Sequence, residues 1–342
     1  MKLGNFRLTL TGIFGAAAAL LLLSACGDHK TAEAPATAAP ATGKKIHLVY
    51  IAKGLQDVYW KFVEAGARQA EAEANAAGTP VDVTFDAPVK DGDADGQITM
   101  MQNYITQKVD GIILCPIDDK ALVGPATLAH QAGIPLAVGD SALQYSELVS
   151  YVRTDNFKGG QMAGDELARV LGDKGNVILL RYAQGSASCD EREAGFLDAI
   201  GKHPNIKVLD SKNYAGQGVD NAVEKSGNLL LEYKGQVDGV FTPNESSTNG
   251  MLLTLQKMGL TGKVKFVGFD GGKANVDGLR AGGIDALVLQ NPKKIGYEGV
   301  RVMLAYLAKK PVEKIIDTGA KLATKANLDS AEIQDLLTLP KK

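Results

Sequence analysis

Residues 46–70 read IHLVYIAKGLQDVYWKFVEAGARQA. A run of mostly apolar residues comes first, and a polar stretch containing Gly54 follows. Apolar positions then recur at spacings of three and four: Trp60, Val63, Ala67 and Ala70. The first run is too short for a buried helix, and its near-continuous apolarity predicts a strand covered on both faces. The second half has the period of an amphipathic helix.

The same alternation continues down the chain. Short apolar runs lie at 81–85, 111–115, 135–138 and 149–153, then at 176–180, 206–210, 239–242, 264–268 and 286–289. Helix-period stretches lie between them, such as 97–108, 158–171, 191–201, 221–233 and 247–258. Strand followed by helix, repeated about ten times, predicts the α/β class, with doubly wound parallel sheets and helices on both sides. About half the units precede residue 153. Domain-size priors therefore favour two similar lobes over one ten-stranded sheet.

The chain has 342 residues, 45% hydrophobic and 22% charged, enough for packed cores and against wholesale disorder. Lys plus Arg total 37 and Asp plus Glu 39, so the net charge is −2, without the basic excess of a nucleic-acid binder. Three cysteines without a CxxC pair exclude a disulfide scaffold. Four scattered histidines without HExxH leave no zinc signature. No GxxxxGK[ST] or GxGxxG loop is present, and the residues imply no cofactor.

In open parallel sheets, ligands bind beyond the carboxyl ends of the strands. The residues just past the predicted strands are Lys53, Asp86, Pro116, Asp140, Arg181 or Gln184, Tyr214, Asn244, Asp270 and Gln290. Carboxylates, amides and a guanidinium make directional bonds to neighbouring hydroxyls, which a polyhydroxylated ligand requires. Tyr59 and Trp60, the only Trp, lie where the first helix begins. Helical period leaves two readings for Trp60, a ring against the C–H face of a sugar or a core aromatic.

These residues carry a resemblance. The chain resembles the type I periplasmic sugar-binding proteins, the ribose-binding-protein group of ABC-transporter substrate-binding proteins, over about residues 46–325. Beside the opening stretch, the informative segments are VDGIILCPID, GIPLAVGDS, TDNFKGGQMAGDELA, GSASCDEREAGF, VFTPNESSTNGML, KFVGFDG and LVLQNPKKIGYEGV, in the family's order. The resemblance implies a sugar site at Asp57, Tyr59, Trp60, Asp140, Arg192, Tyr214, Asn244, Asp270 and Gln290. This sequence departs from the ribose binders at three places. Asp57 stands for their usual Asn, Ser141 follows Asp140 where they have Arg, and Lys53 matches only a subgroup. A donor lost at Ser141 and gained at Lys53 implies a related sugar other than ribose. The resemblance also implies a permease and an ATPase as partners, a monomer, and hinges near 152–155, 290–292 and 317–320. The first lobe would then be 44–153 plus 291–318, and the second 154–290 plus 319–342.

Residues 1–25 read as an export signal, with Lys2 and Arg7 ahead of an apolar run at 12–23. Leu23-Ser24-Ala25-Cys26 resembles the bacterial lipobox, which makes Cys26 the lipidated first residue and the chain's only tether to a membrane. Residues 26–43 are expected to be a flexible linker, being largely an Ala-, Pro- and Thr-rich stretch.

Other constellations read as ordinary structure. Residues 91–98, DGDADGQI, copy the first eight positions of an EF-hand loop, but position twelve is Gln102. A polar turn in which Asp93 or Asp95 caps the next helix is favoured over a calcium site. Cys115 reads as a core residue. Cys189 lies in a predicted ligand loop without a His to activate it. An enzyme using Asp140 and Asp270 as acid and base would lack any nucleophile elbow or metal triad. A transcription regulator would need a helix-turn-helix where the export signal reads. A sugar sensor feeding a receptor shares every feature of a transport protein.

Overall fold

In β1 (Ile46–Ile51), Leu48 and Tyr50 enter one apolar cluster and Val49 and Ile51 another, and all four are fully buried. Alternation across a strand sends successive side chains to opposite faces, so both faces of this sheet are core. The computed structural model describes residues 44–90 and 92–339. After β1 come α1 (Tyr59–Ala76), β2 (Val81–Asp86), α2 (Ala94–Gln107), β3 (Gly111–Leu114), α3 (Val123–Gln131), β4 (Leu136–Gly139) and β5 (Tyr151–Arg153). The second half repeats the order: α4 (Asn156–Leu171), β6 (Gly175–Leu179), α5 (Ala187–Ile200), β7 (Ile206–Asp210), α6 (Val219–Glu232), β8 (Gly239–Phe241), α7 (Glu245–Lys257), β9 (Lys265–Phe269), α8 (Lys273–Ala281) and β10 (Ala286–Gln290). Then follow α9 (Pro292–Leu307), β11 (Ile315–Asp317), β12 (Ala320–Thr324) and α10 (Ala331–Leu337).

The strands form two six-stranded sheets, ordered β11-β5-β4-β3-β1-β2 and β12-β10-β9-β8-β6-β7. Each sheet is the centre of one α/β lobe. Leaving out the edge strands β11 and β12, the two orders superimpose, β6 taking the place of β1 and β9 that of β4. The first sheet is wholly parallel. The second has one antiparallel pair, β10 with β12. Neither β11 nor β12 belongs to the ten expected runs, and β12 departs from an all-parallel reading. Both are edge strands with a single buried residue each, so neither carries an unbroken apolar run.

Glycines set how closely the covering helices approach. A Cβ on Gly66 of α1 would sit 1.8 Å from Lys293 O of α9, and one on Gly296 would sit 1.9 Å from Val63 O. In the second lobe, Gly160 of α4 meets Arg192 O of α5 at 1.9 Å, and Gly195 meets Phe157 O at the same distance. The Gly159–Gly164 stretch therefore serves helix packing. Asp155 starts α4 as its N-cap, accepting from Lys158 N at 3.1 Å.

The chain passes between the lobes after β5, after β10 and between β11 and β12. Hydrogen bonds tie these crossings together. Thr154 Oγ1 donates to Gln290 Oε1 at 2.9 Å, Thr318 N donates to Arg153 O at 2.8 Å, and Asp155 N donates to Asp317 Oδ1 at 3.1 Å.

Asp93 is the N-cap of α2, accepting from Gly96 N at 2.8 Å, while Asp91 lies outside the described residues. The export signal at 1–25, Cys26 and the linker lie outside them as well. Among the described residues no helix is long and apolar enough to cross a membrane.

Candidate functional site

Asp140 follows β4 and Asp270 follows β9, the equivalent strand of the other lobe. Both have left-handed backbone, with φ of 63° and 69°. Asp tolerates that region better than most residues, and here it turns both carboxyls into the gap between the lobes. The cavity there is lined from the first lobe by Lys53, Asp57, Tyr59, Trp60, Gly92, Ile117 and Asp140. The second lobe supplies Tyr182, Ser186, Ser188, Cys189, Arg192, Gln217, Asn244, Asp270 and Gln290.

On the first-lobe wall, Asp140 is bonded through both oxygens. Lys53 Nζ lies 2.8 Å from Oδ2, and the Tyr59 hydroxyl donates to Oδ1 at 2.8 Å. Burial alone would raise the Asp140 carboxyl, but the charges of Lys53 and Arg192 outweigh it and hold it below the usual aspartate value. Lys53 Nζ also reaches Ser188 Oγ across the cleft at 3.3 Å. Trp60 is 6% exposed and meets Tyr59 edge-on, with ring centroids 5.0 Å apart. It belongs to the first-lobe core cluster, as the core reading expects, and part of it also lines the cavity.

The second-lobe wall is built around Arg192 on α5. Its Nε donates to Asn156 Oδ1 and its Nη1 to Pro243 O, each at 2.9 Å, and the guanidinium lies 4.0 Å from the Phe269 ring centroid. Nη2 is buried without a hydrogen-bond partner among the described residues. A buried donor left unpaired costs about 1–3 kcal/mol, so this atom favours a ligand that brings an acceptor. Asp270 accepts from Gln290 Nε2 at 2.8 Å and from Glu245 N at 3.1 Å. Burial raises the Asp270 carboxyl, and Arg192 only partly offsets it. Asn244 caps α7 through Oδ1, and its Nδ2 donates to Ser246 Oγ at 3.0 Å.

Two expected site residues lie elsewhere. Ser141 is absent from the lining, its Oγ accepting from Ser188 N at 3.1 Å. Tyr214 holds its ring against the Arg181 guanidinium, 4.6 Å from its centroid, outside the lining. The structure brings the other nine together: Lys53, Asp57, Tyr59, Trp60, Asp140, Arg192, Asn244, Asp270 and Gln290. Strand-end reasoning missed Gln217, Tyr182, Ser188 and Gly92. Gln217 sits between Gly216 and Gly218, both at positive φ, and that Gly-x-Gly turn was a readable signal. A Cβ on Gly92 would fall 1.8 Å from Gln217 Oε1, so the two lobes are in direct contact there.

Cys115 and Cys189 are free and buried. Burial pushes the Cys189 thiol up to about 11, which keeps it protonated at neutral pH. Among the described residues no group of three or more His, Cys, Asp and Glu is arranged to hold a metal. The lining thus offers two cations and three carboxyls, an aromatic pair, and amides and hydroxyls. That set suits a small, hydroxyl-rich molecule held by directional bonds.

Comparison with known proteins fits this geometry. The profile of a family described as periplasmic binding protein domain matches residues 48–311. A xylitol-binding protein of Mycolicibacterium smegmatis is 32% identical over 199 residues, which are 58% of this chain and 56% of that protein. A ribose import binding protein of Salmonella typhimurium is 30% identical over 67% of this chain and 76% of its own length. Among solved structures, a carbohydrate transporter solute-binding protein from Agrobacterium radiobacter, in complex with D-arabinose, superimposes with a TM-score of 0.81. It is 30% identical and covers 86% of this chain and 99% of its own.

Proposed function

We propose, from the premise that this chain belongs to the periplasmic binding protein domain family, that it captures a small neutral sugar or polyol in the interlobe cleft and releases it unaltered to an ABC-transporter permease and its ATPase. The observation that carries the reading is the wall itself. Lys53 is paired with Asp140, and Arg192 offers one buried unpaired donor beside Asp270, so the cations are balanced before any ligand arrives. An anionic sugar would compete with those carboxylates, whereas hydroxyls bridge them.

The similar proteins are named for xylitol and ribose or were solved with D-arabinose and D-fucose, a five-carbon polyol and five- and six-carbon sugars, all of them neutral and rich in hydroxyls. Ser141 and Lys53 favour a relative of ribose over ribose itself. In this reading the lobes are 44–153 with 291–318 and 154–290 with 319–342. The protein acts as an exported monomer, tethered by a lipid on Cys26.

A thermal-shift screen of the protein against D-ribose, D-arabinose, D-allose, D-fucose and xylitol tests the assignment. A ligand that binds only the folded state raises the melting temperature, and about 100 times its Kd adds about 2.7 kcal/mol. At least one compound should raise it and be recovered chemically unchanged. No shift with any neutral sugar or polyol, or conversion of the bound compound, refutes the reading.

A further inference from the structure

Helix α1 carries Tyr59 and Trp60 into the cleft. Within its own segment Trp60 N donates to Asp57 O at 3.3 Å and Lys61 N to Val58 O at 3.0 Å, while Val58 N and Tyr59 N turn elsewhere. Its N-cap, Val58, makes no side-chain cap, and no acidic residue stands in the first turn. The first N–H groups of a helix have no partner within it, and they carry the positive end of its dipole. The partner comes from the other lobe. Glu245, the first residue of α7, accepts from Val58 N through Oε1 at 3.2 Å and from Tyr59 N through Oε2 at 3.1 Å.

Glu245 is itself held in place. Its N–H donates to Asp270 Oδ2 at 3.1 Å, and its carbonyl accepts from Asn275 Nδ2 at 3.2 Å. A Cβ on Gly272 would fall 2.3 Å from Glu245 Oε1, so glycine makes room for the carboxylate there. One residue thus joins the backbone that positions the Tyr59–Trp60 pair to the carboxyl that lines the opposite wall.

We infer that Glu245 is a positioning residue and a closure latch, a carboxylate that caps helix α1 in trans when the lobes are together and so favours the closed arrangement. It acts through Tyr59, Trp60 and Asp270 and is not itself among the cavity-lining residues. The inference rests on the binding-protein reading only in requiring that the lobes part and close. Closure is then partly built into the protein, and apparent affinity scales with the closed fraction. Loss of the latch weakens every ligand by one common factor, whereas loss of a contact residue weakens ligands unequally.

The test is small-angle X-ray scattering of the full chain without ligand, for wild type, Glu245→Gln and Glu245→Ala. Alanine should increase the radius of gyration, and glutamine, which keeps one acceptor oxygen, should give an intermediate value. An unchanged radius in a cooperatively melting Glu245→Ala protein overturns the latch. Amide hydrogen exchange at Val58 and Tyr59 in the wild type needs no variant, and both N–H groups should exchange slowly without ligand. Exchange at the rate of open chain overturns the proposal even if both variants fail to fold. With D-arabinose and xylitol as probes, Glu245→Ala should raise both dissociation constants by the same factor, about tenfold. Unequal factors would make Glu245 a contact residue. If neither probe binds the wild type, the sugar assignment suffers, while the scattering and exchange results still decide the latch.

Discussion

Asp140 and Asp270 show how burial and neighbours set one residue type on two courses. Asp140 has Lys53 at 2.8 Å and is held below the ordinary aspartate value of 3.8, and burial raises Asp270 above it. A depressed carboxyl contributes stability above its unfolded pKa and loses it as pH falls through the folded value. A raised carboxyl does the reverse, since the folded state then binds more protons than the unfolded one. Melting curves of wild type, Asp140→Asn and Asp270→Asn between about pH 3 and 8 should therefore separate the two. As pH drops below the ordinary range, wild type should lose stability relative to Asp140→Asn and gain it relative to Asp270→Asn. Differences that stay constant with pH would contradict the assigned electrostatics. Both residues were legible in the sequence because each follows an apolar run and the family resemblance names both. Gln217 comes from a loop and Ser188 from the first turn of α5, and no periodicity fixes the distance of either from a strand end. Ser141 and Tyr214 obey the strand-end rule, but Ser188 N and Arg181 engage their side chains outside the cavity.

At the level of elements, contact between paired helices is set by missing side chains. Gly66→Ala presses a methyl on Lys293 O, and Gly160→Ala presses one on Arg192 O, and in both cases backbone must move. Each should cost about 1–3 kcal/mol in denaturant unfolding. Gly160→Ala should in addition weaken the ligand, because it displaces the helix that carries Arg192. Gly227, inside α6, meets nothing within 4 Å of a built Cβ beyond its own helix and chain neighbours. Its alanine variant should be neutral or stabilised by up to ~1 kcal/mol. Equal costs at all three positions would remove the packing argument. The interior strands were readable because both their faces are core, as the opposed clusters of β1 show, and the outer strands β2 and β7 because Val81, Val83 and Ile206 keep a buried face. The edge strands β11 and β12 were not. Only one residue of each is buried, and a pattern that thin resembles loop.

For the molecule as a whole, Trp60 is the built-in reporter, as the only Trp in the chain, 6% exposed and beside the cleft. A bound sugar should shift its emission and reduce quenching by acrylamide, and Arg192→Ala should abolish both responses at the same sugar concentration. Responses that survive that substitution would move the site away from Arg192. The two lobes repeat one strand order, and their aspartates occupy matching corners with the same unusual backbone twist. A perfectly mirrored pair of walls would accept its guest equally well in either of two head-to-tail poses. The likeness is broken in several places, and most directly at the acids: a lysine ammonium faces the first, and a neutral glutamine amide faces the second. That lopsidedness gives the chamber a direction, and a compound with unlike ends enters it with one end always foremost.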